Sequence, residues 1–304
     1  MAEMTLIFPC YNELPHLDES IARIDAFLSV LNFKCDVMFV DDGSTDGTLD
    51  TLASYGSRIR VFEQKNSGPA VARNLGIQHA RGEYIAMLDS DDLWFPWTLA
   101  TYTEAIHRHD SPAFVAGAPF VFREMADLTG AKREPLRDEI FADYLASGDQ
   151  WRWFGASSFV LRADAVRAVG GFSDQWINSD DADLALRIGL ARGFVDVQSP
   201  ATFAYREHAG SLKTKTDISF RSLAYMLTQE ESGAYPGGVE RQRERREILT
   251  RHLRPFTLAC LGTPAAQQGW NLYRRTFAWH LALLRLRYLC SYPVLAALRR
   301  GGSS

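Results

Sequence analysis

The chain reads as an α/β protein: a mainly parallel central sheet with helices on both faces, followed by a helical C-terminal extension. Three observations predict this. Strand-like and helix-like segments alternate through the first half of the chain. The strand-like runs are apolar throughout rather than alternating, as in sheets covered on both faces. From about Ser219 onward the pattern is helical, broken only at Tyr235-Pro236-Gly237-Gly238.

Each element has a local reason. Thr5 to Phe8 is a short apolar run, and Ile21, Ile24, Phe27, Leu28 and Leu31 then share one helical face. Cys35 to Val40 is the next strand, Gly47 to Tyr55 a short helix, and Ile59 to Phe62 a third strand. Gly68-Pro69 opens another helix, because proline at the first helical position gives up no needed N–H. Tyr84 to Leu88 is the fourth strand, completing βαβαβαβ. Ala113 to Phe122 is a strand pair or one bent strand, and Ser157 to Leu161 is a strand. A helix follows from Ala163 to Val169, stopped by Gly170-Gly171. Asp181 to Ala191 is amphipathic, residues 194–205 return to strand composition, and residues 301–304 are expected to fray.

With 304 residues, 46% of them hydrophobic, the chain can bury a large core. Its four cysteines, Cys10, Cys35, Cys260 and Cys290, are scattered without zinc-site or disulfide-framework spacing, which suits a reducing cytosol. Cys10 reads as a small buried apolar residue. Met1-Ala2-Glu3 lacks the basic start of a signal peptide. The net charge of −4 hides an asymmetry. Residues 1–247 hold 25 basic and 37 acidic side chains (−12), and no Asp or Glu follows Glu247, while eight arginines do. An acidic body argues against nucleic acid as a partner.

The chemistry gathers at strand ends. The fourth strand empties into Asp89-Ser90-Asp91-Asp92, the second into Asp41-Asp42-Gly43-Ser44, and the first into Pro9-Cys10-Tyr11-Asn12-Glu13. Parallel strands place all three exits on one edge, where open α/β sheets bind ligands. Clustered carboxylates need neutralising, and a hard divalent cation that bridges to phosphate oxygens would do it. The alternative is that Asp and Gly merely form tight turns there.

These segments, with Asn66-Ser67-Gly68-Pro69, Arg73-Asn74, Gly170-Gly171-Phe172, Ser179-Asp180-Asp181-Ala182-Asp183 and Tyr205-Arg206-Glu207-His208, resemble the family 2 glycosyltransferases of the GT-A fold over roughly residues 4–212. The resemblance implies a catalytic domain over residues 1–212 and a basic helical extension over 213–304. It implies transfer of a sugar, with inversion, from a nucleoside diphosphate sugar (a UDP-sugar foremost) to a hydroxyl of a glycan or lipid-linked acceptor in cell-surface polysaccharide synthesis. By position, Asp42 would contact the donor's base or ribose, and Pro9, Tyr11 and Glu13 would wall the nucleoside pocket. Arg73 and Ser90 would stand by the diphosphate. Asp89, Asp91 and His208 would attend a divalent cation, Mn²⁺ or Mg²⁺. Asp181 would be the general base, and Asp180 stands where the family usually has Glu. A metal that stabilises the leaving diphosphate leaves one carboxylate to take the acceptor's proton.

Other readings stand beside these. Asp180, Asp181 and Asp183 also complement a helix dipole, the better reading for Asp183. Trp151 and Trp153 form either an acceptor platform or half-buried packing. Residues 268–300, basic and aromatic, either lie on an anionic membrane surface or cap the acidic body. The expected place of action is the cytoplasm or the cytoplasmic face of the inner membrane. A noncatalytic nucleotide-sugar binder, a sugar nucleotidyltransferase and a membrane-docked scaffold using only the tail are the rival functions; the glycine-rich, arginine-containing loop expected of the nucleotidyltransferase is missing after the first strand.

Overall fold

The structure is a computed structural model that describes residues 4–30, 34–150, 155–175, 177–207 and 216–300. The chain forms two compact units. One comprises Met1–Tyr144, Arg152–Asp174 and Ala191–His208, the other Leu145–Trp151, Gln175–Leu190 and Ala209–Ser304.

The first unit runs β1 (Met4–Cys10), α1 (Leu14–Val30), β2 (Cys35–Asp41), α2 (Thr48–Ser54), β3 (Arg60–Glu63), α3 (Pro69–His79), β4 (Tyr84–Met87), β5 (Leu93–Trp94) and α4 (Thr98–Arg108). It continues through β6 (Phe114–Gly117), β7 (Pro119–Phe122), β8 (Arg137–Phe141), β9 (Phe159–Arg162), α5 (Ala163–Ala168), β10 (Phe194–Ser199) and β11 (Phe203–Arg206). Eight strands form one sheet in the order β3-β2-β1-β4-β9-β6-β10-β8, and β5-β11-β7 form a small second sheet. The pairs β1–β2, β1–β4, β2–β3 and β6–β10 are parallel; β9 runs antiparallel between β4 and β6, and β8 antiparallel on the edge. This is the mainly parallel GT-A architecture expected from the sequence. The segment 113–122 is a strand pair, but its halves enter different sheets.

Every residue of β1 is buried, as an apolar strand covered on both faces requires. Helix α3 lies close against it. A Cβ on Gly76 would come within 2.6 Å of Ile7, so only glycine lets the helix approach this near. Helix α4 buries Leu99, Tyr102, Ala105 and Ile106 on one face.

The second unit is helical: α6 (Asp180–Arg187), α7 (Thr216–Glu231), α8 (Gln242–Ala259), α9 (Ala266–Arg275), α10 (Phe277–Ala282) and α11 (Leu286–Arg300). The expected break at Tyr235-Pro236-Gly237-Gly238 is held by Arg245, which is 2% exposed. Its guanidinium donates to Glu230 at 2.6 Å and to the carbonyls of Pro236 and Gly238 at 2.8 and 2.9 Å. Both charges and the turn's orphan acceptors are thereby satisfied together. Tail arginines serve the same unit. Arg251 donates to the carbonyls of Gly148 and Gln150, Arg254 and Arg285 both bind the Asp149 carboxylate, and Arg275 pairs with Glu231. Tyr273, Tyr288 and Tyr292 form the aromatic centre of its C-terminal core.

His280 of α10 is fully buried against the Tyr288 ring, and neither ring nitrogen has a hydrogen-bond partner among the described residues. Burial pushes its pKa down to about 3, chiefly by desolvation. An unfolded chain would bind this proton below about pH 6.5 while the folded chain does not. Its contribution is therefore complete above that pH and is lost at up to about 1.4 kcal/mol per pH unit as pH falls towards 3. His280→Phe is expected to narrow the difference between urea midpoints at pH 7 and pH 5. An undiminished difference would exclude His280 as its source.

Candidate functional site

The site begins with strand register. Pro9 lies opposite Val40, Cys10 opposite Asp41, and Ile7 opposite Met87, all in parallel ladders. Two further bonds extend these ladders into the loops: Asp42 N–H donates to the Cys10 carbonyl (2.9 Å) and Leu88 N–H to the Ile7 carbonyl (3.1 Å). The segments 10–13, 41–46 and 88–92 therefore leave the sheet side by side on one edge.

The first two loops clasp one another. Asn12, at φ 57°, accepts at its backbone-facing side-chain oxygen the Thr45 N–H (2.8 Å), while its own N–H donates to Ser44 Oγ (2.8 Å). Glu13 N–H donates to Thr48 Oγ1 (3.0 Å). Asp41, 1% exposed, accepts the Ser44 N–H, and Gly43 at φ 75° makes the turn. Asp42, 5% exposed, accepts three bonds: from Gln64 Nε2 (2.7 Å), Ser67 N–H (2.8 Å) and Gly68 N–H (2.8 Å). Its carboxylate thus holds the loop entering α3 at that helix's positive end. The carboxylate proposed from sequence to meet the donor's base is also the anchor of the 64–68 loop.

Arg73, on α3, is buried to 7% exposure and donates to Asp89 Oδ1 at 2.7 Å. Its guanidinium lies over the Phe172 ring at 5.2 Å, a cation–π contact that fixes its position. Phe172 is itself held by Asn74, whose side chain accepts the Phe172 N–H and donates to the Phe172 carbonyl. The Gly170-Gly171-Phe172 motif therefore acts through Arg73 on the acid at position 89. Asp89 N–H donates to Ser157 Oγ (3.1 Å).

Asp91 is exposed, whereas Asp92 is 7% exposed. Burial, then the neighbouring Asp89 and Asp91, pushes the Asp92 pKa up to about 7. Arg206, in the Tyr205-Arg206-Glu207 segment, donates its N–H to Asp92 Oδ1 (3.2 Å) and its Nε to the Asp91 carbonyl (3.2 Å), with its guanidinium over Phe122. Sequence reasoning drew attention to His208 in this motif and passed over Arg206, which ties the end of β11 to the acidic turn.

A small, partly open cavity of about 60 Å³ lies at this edge. Its floor is apolar, with Phe8, Leu17, Phe39 and Trp94, and its lining includes Pro9, Glu13, Asp89, Ser90 and Asp92. Pro9, Glu13, Asp89 and Ser90 are thus brought to one cavity, and Arg73 joins it through Asp89. Tyr11 is 47% exposed on the neighbouring loop. Cys10, also in the lining, has its thiol pKa raised by burial and then by Asp41, so it is an inert thiol there. The carboxylates of residues 89–92 are hard oxygen donors. In donor type the turn fits Mg²⁺ or Mn²⁺. Among the described residues, no three His, Cys, Asp or Glu side chains gather as a coordination cluster.

Asp180 and Asp181 belong to the second unit, half-buried in the first turn of α6. Asp183 is fully buried, accepting from Arg187 Nε (2.8 Å) and Tyr235 Oη (2.8 Å). It ties α6 to the Tyr235 turn, a role distinct from dipole complementation. Trp151, Trp153 and His208 lie outside the described residues.

Asp42→Ala is expected to lower stability by about 3 kcal/mol, because two backbone N–H groups and the Gln64 amide lose a charged acceptor. Asp42→Asn, which keeps an acceptor oxygen, should lose less. Thermal melts of the two variants check this, and equal, negligible losses would remove Asp42 as the loop anchor.

Comparison with known proteins agrees with the geometry. The family model Glycosyl transferase family 2 matches residues 5–169. The EpsE protein of Bacillus subtilis (strain 168) is 30% identical over 222 residues, 70% of this chain and 76% of that protein. The glycosyltransferase GlyG of Streptococcus pneumoniae serotype 4 is 25% identical over 79% of this chain and 83% of its own length. An uncharacterized glycosyltransferase of Rickettsia felis is 42% identical over 95 residues, and that match spans only 15% of the Rickettsia protein. Among solved structures, Staphylococcus aureus TarS 1–349 in complex with UDP-GlcNAc aligns with TM-score 0.65 at 15% identity, covering 99% of this chain and 92% of that one. The mannosyltransferase PcManGT of Pyrobaculum calidifontis, in complex with GDP-Man and Mn²⁺, aligns with TM-score 0.53 at 17% identity, covering 98% and 86%. With its strand-end motifs on one edge and its matched span covering more than half its length, the chain belongs to glycosyl transferase family 2.

Proposed function

We propose that this chain moves a sugar, with inversion, from a nucleoside diphosphate sugar to a hydroxyl of a glycan or lipid-linked glycan, in the synthesis of a surface polysaccharide. The observation that carries this reading is the acidic turn 89–92 at the mouth of an apolar-floored cavity, its first acid oriented by the buried Arg73. A UDP-sugar is the proposed donor; TarS and PcManGT, of like fold, are in complex with UDP-GlcNAc and GDP-Man.

Pro9, Tyr11 and Glu13 are proposed to wall the nucleoside, with Asp42 fixing the adjoining loop and contacting the base or ribose. Asp89 and Asp91, with Ser90 beside them and His208 as a further ligand, would hold a divalent cation, which when bound supplies Lewis-acid stabilisation to the departing diphosphate. Arg73 orients the Asp89 carboxylate through their ion pair. Asp181 is the proposed base: its carboxylate takes the proton from the acceptor hydroxyl as that oxygen bonds to the anomeric carbon. Asp180, Trp151 and Trp153 are the proposed acceptor contacts.

Calorimetric titration with a panel of nucleotide sugars in Mn²⁺ or Mg²⁺, followed by assay of nucleoside diphosphate release, tests this directly. Asp181→Asn should lower turnover by about 100-fold or more while donor binding persists. Donor binding without turnover in the unaltered protein would favour the noncatalytic reading. Release of pyrophosphate from a nucleoside triphosphate would favour a nucleotidyltransferase.

A further inference from the structure

Helix α11 is apolar on both sides. One side carries Tyr288, Leu289 and Tyr292 into the aromatic core, while the opposite side shows Leu286, Val294 and Leu298 at 54%, 58% and 68% exposure. These positions are eight and four residues apart, with Cys290 exposed between the first two, so they form one stripe along the helix. Helix α10 likewise exposes Phe277 (45%) and Leu281 (50%) on one face. Leu284, between the helices, is 77% exposed and sits at φ 54°, a left-handed conformation that costs a leucine about 1–2 kcal/mol. Glycine or asparagine would occupy that turn without strain, whereas here a leucine side chain is held out in solvent.

Charge identifies the occupant. The last carboxylate in the chain is Glu247, so the whole of α9 to α11 is free of acid. Most tail arginines are engaged within the unit, but Arg274 and Arg287 are exposed and form no ion pair among the described residues. Arg299 is exposed as well, with one bond to the Leu261 carbonyl. Exposed leucines with unneutralised arginines and no acid are complementary to an anionic lipid surface: apolar side chains enter the acyl boundary while guanidinium groups stay among headgroup phosphates. The 15 residues of α11 would measure about 22 Å, short of a bilayer core. No helix among the described residues is long and apolar enough to cross a membrane. We infer that the α10–α11 segment docks the protein flat on an anionic membrane surface.

This inference stands apart from the sugar-transfer reading, because its readout is lipid binding alone. The experiment is co-sedimentation of the full chain with phosphatidylcholine vesicles, with and without phosphatidylglycerol. Binding is expected only to the anionic vesicles and should weaken with added salt. Arg274→Gln with Arg287→Gln should weaken it about 30-fold, and Val294→Asn with Leu298→Asn should abolish it. All four side chains are exposed, so thermal melts of both variants should match the unaltered protein. Equal binding to neutral vesicles, no vesicle binding, or a dimer in light scattering that these variants dissociate without any vesicle binding would each overturn the inference.

Discussion

The pairing of Arg73 with Asp89 is the interaction on which the acidic edge depends. Three strand ends deliver seven carboxylates (Glu13, Asp41, Asp42, Asp46, Asp89, Asp91 and Asp92) to neighbouring loops. Three of them, Asp41, Asp42 and Asp46, are quenched locally by backbone N–H groups or hydroxyls. The turn at 89–92 is met from more distant parts of the chain, by Arg73 on Asp89 and by the Arg206 N–H on Asp92, whose pKa is pushed up to about 7 by burial first and then by Asp89 and Asp91. Arg73 is the buried cation paired with the first of them, Asp89, at 2.7 Å. Its position in turn relies on Phe172 beneath it and on Asn74 holding Phe172.

The helical unit solves a different electrostatic problem. A segment with eight arginines and no acid after Glu247 would repel itself if left bare. Arg251 satisfies backbone carbonyls, Arg254 and Arg285 share one aspartate at position 149, and Arg275 reaches back to Glu231. These inner arginines are engaged within the helical unit itself, while Arg274, Arg287, Leu286, Val294 and Leu298 are exposed.

Much of this was legible in the residues. The βαβαβαβ order, the proline-opened helix, the strand ends rich in Asp and the break at 235–238 all announce themselves through short-range chemistry. Helix α4 was not foreseen, although Leu99, Tyr102, Ala105 and Ile106 have helical spacing; the Trp94-Phe95-Pro96-Trp97 run before it obscures the period. Strand β8, Arg137-Asp138-Glu139-Ile140-Phe141, is hidden by its polarity, which is how an edge strand escapes further pairing. At the site, the acids are visible but their partners are not. The donors to Asp42 at positions 67 and 68 are backbone N–H groups, which leave no mark in a sequence, and the tie of Arg206 to Asp91 and Asp92 spans more than a hundred residues.

Strand β9 sits antiparallel between β4 and β6, joined to both. Residues 84–87 and 114–117 therefore have no common neighbour until residues 159–162 have left the ribosome. Until then a nascent chain carries two open, wholly apolar ladders, the kind of surface that chaperones shield and that invites mispairing between molecules. The middle of the eight-stranded sheet is a closure of long sequence separation, which sets folding on the slow side and makes β9 the keystone of its assembly.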